Sequence, residues 1–299
     1  MTDRYGLFGN PIRHSKSPEI HGAFARATGQ DMGYELLEAP PDGFAAAVAA
    51  FRALGARGAN VTMPFKLEAF ALAADRSARC EVAGACNALR FDGDRVHGDN
   101  FDGVGLVNDI VRNLGVELAG RRVLVLGAGG AARGALLPIL DAGAARVVVA
   151  NRSVDRALAL RDRLAGYANV VAGGYGDLGG AAFDVVVNAT STSMRGERPP
   201  VPRSAFAPGC LAYDVVYGKG LGPFLALARD AGAGKLADGI GMLYEQAAEA
   251  FVWWRGVRPA TRELIAAHSV PLAYGGRSGR PPRAAPPRRA GRPGGARAA

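Results

Sequence analysis

Val123-Leu124-Val125-Leu126-Gly127-Ala128-Gly129-Gly130-Ala131-Ala132 is the stretch on which the reading of this chain turns. Four consecutive apolar residues suit a strand buried on both faces, as in a parallel sheet covered by helices. The glycines that follow match G-x-G-x-x-A at the start of a helix that reaches about Asp141. Without Cβ atoms at Gly127 and Gly129 the backbone turns sharply and admits a pyrophosphate to the helix N-terminus, whose first N–H groups have no intrahelical partner. The same letters also read as a glycine-rich turn in an alanine-rich chain, and it is the flanking strand and helix that favour a dinucleotide.

Downstream, the strand expected over 146–150 ends in Asn151-Arg152-Ser153, with Arg156 one turn on. In a dinucleotide fold this strand end reaches the adenosine ribose, where an acidic residue accepts from the free 2′-hydroxyl of NAD. Here a guanidinium stands instead, able to pair with a 2′-phosphate and stack on adenine, so NADP is the expected cofactor. Either arginine alone is equally an ordinary surface residue. Two more buried strands are expected over 184–188 and 212–216. A long amphipathic helix follows Met242, with Leu243, Ala247, Phe251 and Trp254 at spacings of three and four.

Upstream, Tyr5-Gly6-Leu7-Phe8-Gly9 predicts a strand that ends in the turn pair Asn10-Pro11. Ser17 is expected as a helix cap with Pro18 in the first turn and Ile20, Phe24 and Ala27 on one face. A strand over 34–37, a helix over 44–54 and a strand over 59–63, stopped by Pro64, complete a first series. Strand–helix alternation in both series predicts an α/β architecture with mostly parallel pairing and no internal repeat. Lys66 then lies just past a strand end, where open α/β sheets place their ligands. Asp102 sits in the turn-rich stretch Gly98-Asp99-Asn100-Phe101-Asp102-Gly103 between the two series. A lysine and an aspartate in one cleft can hold and pass the proton that an alcohol loses as its hydride leaves for a nicotinamide. Singly they read as a surface charge and an Asx-turn residue, and their spacing does not show that they meet.

The chain has 299 residues, which corresponds to about two domains at roughly 150 residues each. Its net charge of +9 suggests a polyanion partner until it is partitioned. Residues 275–299 hold seven arginines and no acidic or aromatic residue, which leaves the body near +2. That composition predicts a disordered tail. Polyanion binding through the tail ranks last as a function, because no aromatic is there to stack on bases. Cys80, Cys86 and Cys210 lack zinc-type spacing and read as reduced thiols. No metal is expected. The N-terminus has no secretory pattern and no stretch approaches ~18 apolar residues, so a cytoplasmic protein without a membrane span is expected.

From about Tyr5 to Pro259 the sequence resembles the shikimate dehydrogenase family. The resemblance rests on Phe8-Gly9-Asn10-Pro11 with His14-Ser15-Lys16-Ser17-Pro18, on Asn60-Val61-Thr62-Met63-Pro64-Phe65-Lys66, and on Gly98-Asp99-Asn100 with Asp102-Gly103. It continues through 127–132, Asn151-Arg152-Ser153, Asn188-Ala189-Thr190-Ser191, Ala237-Asp238-Gly239, Met242-Leu243 and Gln246-Ala247.

The resemblance implies reversible NADPH-dependent reduction of 3-dehydroshikimate to shikimate, in chorismate and aromatic amino-acid biosynthesis, by a monomer or homodimer. It implies that Lys66 carries the proton, with Asp102 its partner and a substrate ligand. Ser15 and Ser17 would take the substrate carboxylate, and Thr62, Asn87, Tyr217 and Gln246 would bind ring hydroxyls or close over the ring. Gly127, Ala128, Gly129, Gly130, Ala131, Asn151, Arg152, Ser153, Arg156, Val215 and Gly239 would line the NADP site. It also implies a catalytic domain of residues 1–102 completed by helices within 240–270, facing a Rossmann domain of residues 103–239 across a deep cleft. Four positions depart from the family pattern: Phe101 and Ala88 stand where it has threonines, Ser193 where it has glycine, and Gly222 where it has threonine before Pro223. Phe101 exchanges a hydroxyl for an aromatic beside the expected dyad, which raises quinate or an aminoshikimate as alternative substrates.

Overall fold

The computed structural model describes residues 2–272, so the tail over 275–299, with its expected disorder, lies outside the described residues. The first half contains β1 (Asp3–Gly9), α1 (Ser17–Thr28), β2 (Met32–Glu38), α2 (Phe44–Ala53), β3 (Ala56–Val61) and α3 (Lys66–Leu72), then β4 (Asp75–Arg76), α4 (Ala78–Ala83), β5 (Ala88–Asp92), β6 (Arg95–Asp99) and α5 (Asp102–Asn108). The second contains β7 (Arg122–Leu126), α6 (Gly130–Asp141), β8 (Arg146–Ala150), α7 (Val154–Asp162), β9 (Val170–Gly173) and β10 (Phe183–Asn188), then β11 (Phe206–Asp214), α8 (Pro223–Asp230), β12 (Lys235–Asp238), α9 (Ile240–Arg255) and α10 (Arg262–His268).

β7 shows why an all-apolar strand is needed. Val123 and Val125 face one core with Leu136, Ile139, Val147 and Val187, while Leu124 and Leu126 face another with Val186, Phe206 and Phe224. Alternate side chains therefore serve opposite layers, and each fully buried Val or Leu contributes about 1.5–3 kcal/mol of transfer free energy. The second sheet runs β12-β11-β10-β7-β8-β9 and is parallel throughout. The first sheet, β2-β1-β3-β5-β6-β4, is mixed: β5 pairs antiparallel with both β3 and β6. Pairing is mostly parallel, as expected, and the exceptions are the two pairings of β5, one of them the hairpin with β6 turned by Gly93-Asp94, where Gly93 takes a φ of +54°. Asp92-Gly93 is a local hairpin signal of the kind that supplies this left-handed residue.

Helix α1 also starts one residue earlier than the cap reading placed it. Lys16 is the capping residue and makes no side-chain cap bond, and Ser17 is the first helical residue. The Ser15 hydroxyl instead accepts from the Ser17 N–H at 3.2 Å.

Helix α5 joins the halves. A Cβ on Gly103 would lie 2.0 Å from the Gly134 carbonyl oxygen on α6, and one on Gly105 would lie 2.7 Å from the Gln246 nitrogen on α9. Only glycine permits both approaches, which wedge the first turn of α5 between a helix of the second sheet and α9. Helix α9 returns to the first sheet, where Ile240, Tyr244 and Phe251 pack with Ile20 and Phe24 of α1. Cys80, Cys86 and Cys210 are buried free thiols.

Candidate active site

The chain beyond β3 is pinned before it reaches Lys66. The Thr62 N–H donates to the Phe8 carbonyl at 2.9 Å, and the Asn10 N–H donates to the Met63 carbonyl at 3.1 Å. Phe65 is fully buried and stacks on Phe44 with ring centroids 5.1 Å apart. Lys66 thus opens α3 from an anchored turn, and the Cys86 N–H holds its carbonyl at 2.9 Å.

Asp102 opens α5, with its N–H donated to the Asn100 side-chain oxygen at 3.1 Å. Lys66 Nζ donates to Asp102 Oδ2 at 2.5 Å, and the two side chains retain 29% and 14% of their exposure, so the pair is partly buried but still reaches the surface. Asn87 organises the other side. Its Oδ1 accepts the Phe101 N–H at 2.8 Å, which directs its Nδ2 to Asp102 Oδ1 at 2.8 Å and to Gln246 Oε1 at 3.2 Å. Lys66, Asn87, Asp102 and Gln246, which lie on four different parts of the chain, therefore form one hydrogen-bonded cluster.

Ser15 and Ser17 share a hydroxyl–hydroxyl bond at 3.2 Å. They connect to that cluster through residues to which sequence reasoning gave no role. The Tyr34 phenol is held well above its usual range by burial, with a hydrogen bond from Ser17 opposing the shift. Its hydroxyl donates to Asn60 Oδ1 at 2.7 Å, and Asn60 Nδ2 donates to the Asn87 carbonyl at 3.2 Å. A buried asparagine inside the apolar run Ala59-Asn60-Val61 was the available signal, since a polar group there needs partners. Tyr217 stands apart on the loop after β11, with 40% exposure. The Gly218 N–H beside it donates to Asp238 Oδ2 at 2.9 Å, and among the described residues no hydrogen bond joins Tyr217 to the Lys66 cluster.

The glycine turn fits a dinucleotide. Gly127 has a φ of +107°, and a Cβ there would lie 3.1 Å from the Ala189 carbonyl oxygen. Gly129 precedes α6 without a side-chain cap bond, so the first N–H groups of the helix stay available to an anion. Gly129 and Gly130 are exposed, with open space where side chains would project; Ala128 and Ala131 flank them. At the end of β8, Asn151 Nδ2 donates to the Ser153 carbonyl at 2.9 Å, while Arg152 and Arg156 are both exposed. On the far side a Cβ on Gly239 would lie 2.1 Å from the Val215 carbonyl oxygen, which clamps these two positions together. A Cβ on Gly134, in the second turn of α6, would lie 3.6 Å from Asp102 Cβ. The dyad therefore sits beside the first turns of the helix that would carry the pyrophosphate.

Phe101 does not intrude on the dyad. Its ring is buried with Ala88 and Ala250, meets Trp253 edge-on at 5.6 Å and lies under the Arg79 guanidinium at 4.8 Å. The two departures that suggested another substrate are thus packing partners, with small Ala88 making room for large Phe101.

Two α/β sheets, a dinucleotide-type glycine turn and a lysine–aspartate pair beside it define a pyridine-nucleotide oxidoreductase. Residues 7–89 match the family described as shikimate dehydrogenase substrate binding domain, and residues 109–195 match shikimate / quinate 5-dehydrogenase. The chain is 55% identical to the shikimate dehydrogenase (NADP(+)) of Dechloromonas aromatica (strain RCB) over 89% of its own length and 97% of that protein. It superposes on an Ael1 enzyme from Pseudomonas putida with a TM-score of 0.87 at 53% identity, covering 91% of this chain and 100% of that one. A shikimate 5-dehydrogenase of Thermus thermophilus, solved in complex with NADP(H) and shikimate, matches with a TM-score of 0.78 at 30% identity, covering 89% and 98%. The chain belongs to the shikimate dehydrogenase family.

Proposed function

We propose that the protein catalyses the reversible, NADPH-dependent reduction of 3-dehydroshikimate to shikimate, within chorismate and aromatic amino-acid biosynthesis in the cytoplasm. The observation that carries this reading is the 2.5 Å contact of Lys66 with Asp102 beside the first turns of α6. Bound NADPH supplies the hydride that reduces the ketone carbon. Lys66 Nζ gives its proton to the ketone oxygen as negative charge develops there, and takes it back from the alcohol in the reverse direction. Asp102 accepts from Lys66 on Oδ2 and so aims the ammonium, while Asn87 fixes the carboxylate through Oδ1.

In this reading Ser15 and Ser17 receive the substrate carboxylate, and Thr62, Asn87 and Gln246 bind ring hydroxyls, with Tyr217 closing over them. Gly127–Ala131 cradle the pyrophosphate, Asn151–Ser153 and Arg156 hold the adenosine 2′-phosphate, and Val215 and Gly239 line the nicotinamide end. Residues 1–102 with 240–270 act as the catalytic domain, and residues 103–239 as the cofactor domain. Among the described residues no helix is long and apolar enough to cross a membrane. The test is consumption of NADPH and of NADH, side by side, with 3-dehydroshikimate. Rapid loss of NADPH absorbance with much slower loss of NADH is expected, and no turnover with either would contradict the reading.

A further inference from the structure

Ser193 stands where the family pattern has glycine, and its surroundings show what the added hydroxyl does. β10 and β11 are neighbours whose last residues, Asn188 and Asp214, are paired in register. Both lie at the edge of the sheet where an open α/β fold places its ligand. Ser193 and Asp214 are buried, and Ser193 Oγ donates to Asp214 Oδ2 at 2.5 Å, within the range of a strong O–H···O⁻ bond. Asn188 Nδ2 adds contacts to Ser193 Oγ at 3.1 Å and to the same carboxylate oxygen at 3.3 Å. The other oxygen, Asp214 Oδ1, accepts the Val216 N–H at 3.1 Å.

One carboxylate thus grips two loops. The loop after β10 carries Ala189 and Thr190, which lie against the Gly127 turn, and its Thr190 N–H and hydroxyl both donate to Asn188 Oδ1. The loop after β11 carries Val215 and then Tyr217. The first loop touches the glycine turn and the second leads to Tyr217, and the side chains that join them, Asn188, Ser193 and Asp214, are buried. A glycine at 193 would leave Asp214 held by Asn188 on that side alone.

We propose that Ser193 is a positioning residue that couples dinucleotide binding to substrate binding, by locking the loop over the glycine turn to the Val215–Tyr217 loop through Asp214. The inference rests on the proposed function. By linkage, an interaction that helps one ligand organise the other's loop raises both affinities by the same factor.

The test measures the Kd of NADPH by fluorescence, with and without saturating shikimate, for wild type, Ser193→Ala, Ser193→Gly and Asp214→Asn. Tm values are taken in parallel. The ratio of the two Kd values is expected to exceed one in wild type and to fall by about threefold or more in each variant, the scale of one buried hydrogen bond. A ratio that survives in Ser193→Ala but falls in Ser193→Gly would assign the effect to backbone freedom and overturn the proposal. A lower Tm with an unchanged ratio, or a wild-type ratio of one, would also overturn it. Wild-type protein that binds no NADPH would contradict the proposed function itself.

Discussion

The Lys66 ammonium and the Asp102 carboxylate meet at 2.5 Å although one opens α3 and the other opens α5, and the second oxygen of the same carboxylate is held by Asn87. With both oxygens occupied, Asp102 has a single orientation. Asp102→Asn keeps the shape and removes the charge that aims Lys66. The expected outcome is a fall in kcat of about 10²–10⁴-fold, the range for loss of positioned proton transfer, with NADPH affinity unchanged. Steady-state rates and a fluorescence titration of NADPH check it.

Arg152 and Arg156 project from the end of β8 and the first turn of α7. A charge-assisted bond to a 2′-phosphate contributes about 1.5–3 kcal/mol, so Arg152→Ala is expected to raise the KM of NADPH roughly 10- to 100-fold. The KM of NADH, which lacks that phosphate, should stay within about threefold on the same reasoning. Parallel rate measurements with the two nucleotides decide it, and equal losses for both would contradict the assignment.

Phe101 faces the cluster of Ala88, Ala250 and Trp253. Phe101→Thr, the family residue, should therefore act on stability, costing about 2–4 kcal/mol for the cavity left in the cluster. The ratio of kcat/KM for shikimate to that for quinate should not move. Urea unfolding and substrate comparison test this together, and a gain in quinate turnover would place the ring in the substrate site after all.

His21 is stacked on Tyr34 with centroids 4.3 Å apart and is enclosed by Phe24, Phe251 and Trp254. Burial lowers its pKa from 6.5 to about 3. Below pH 6.5 the unfolded chain takes up a proton that the folded protein refuses, so stability present above pH 6.5 is lost as the pH falls toward 3. The contribution of this one group is about 1.4 kcal/mol per pH unit. Urea unfolding at several pH values should show a steeper acid loss for wild type than for His21→Leu. Equal slopes would mean that His21 ionises inside the fold.

The local signals in the sequence reached far. The four apolar residues before Gly127 place β7 and the glycines place the start of α6, while β3 ends at Val61, two residues short of the strand end expected before Pro64. What escaped were features made by contact between distant segments. Nothing local says that Gly103 must meet Gly134, yet that approach sets Asp102 beside α6. Nothing local says that Phe101 turns toward Ala88 and away from the residue next to it. The Ser17 cap was misplaced by one residue because Ser15 supplies the acceptor, and Tyr34 and Asn60 gained their meaning only when β2 and β3 came to lie on either side of β1.

The most direct measurement is NADPH oxidation with 3-dehydroshikimate by wild type and Lys66→Ala at equal, folded concentration. Wild type is expected to turn over, and the variant to lose about 10²–10⁴-fold in kcat while binding NADPH as wild type does. A Lys66→Ala protein that keeps the wild-type rate would contradict the assignment of Lys66 as the proton carrier.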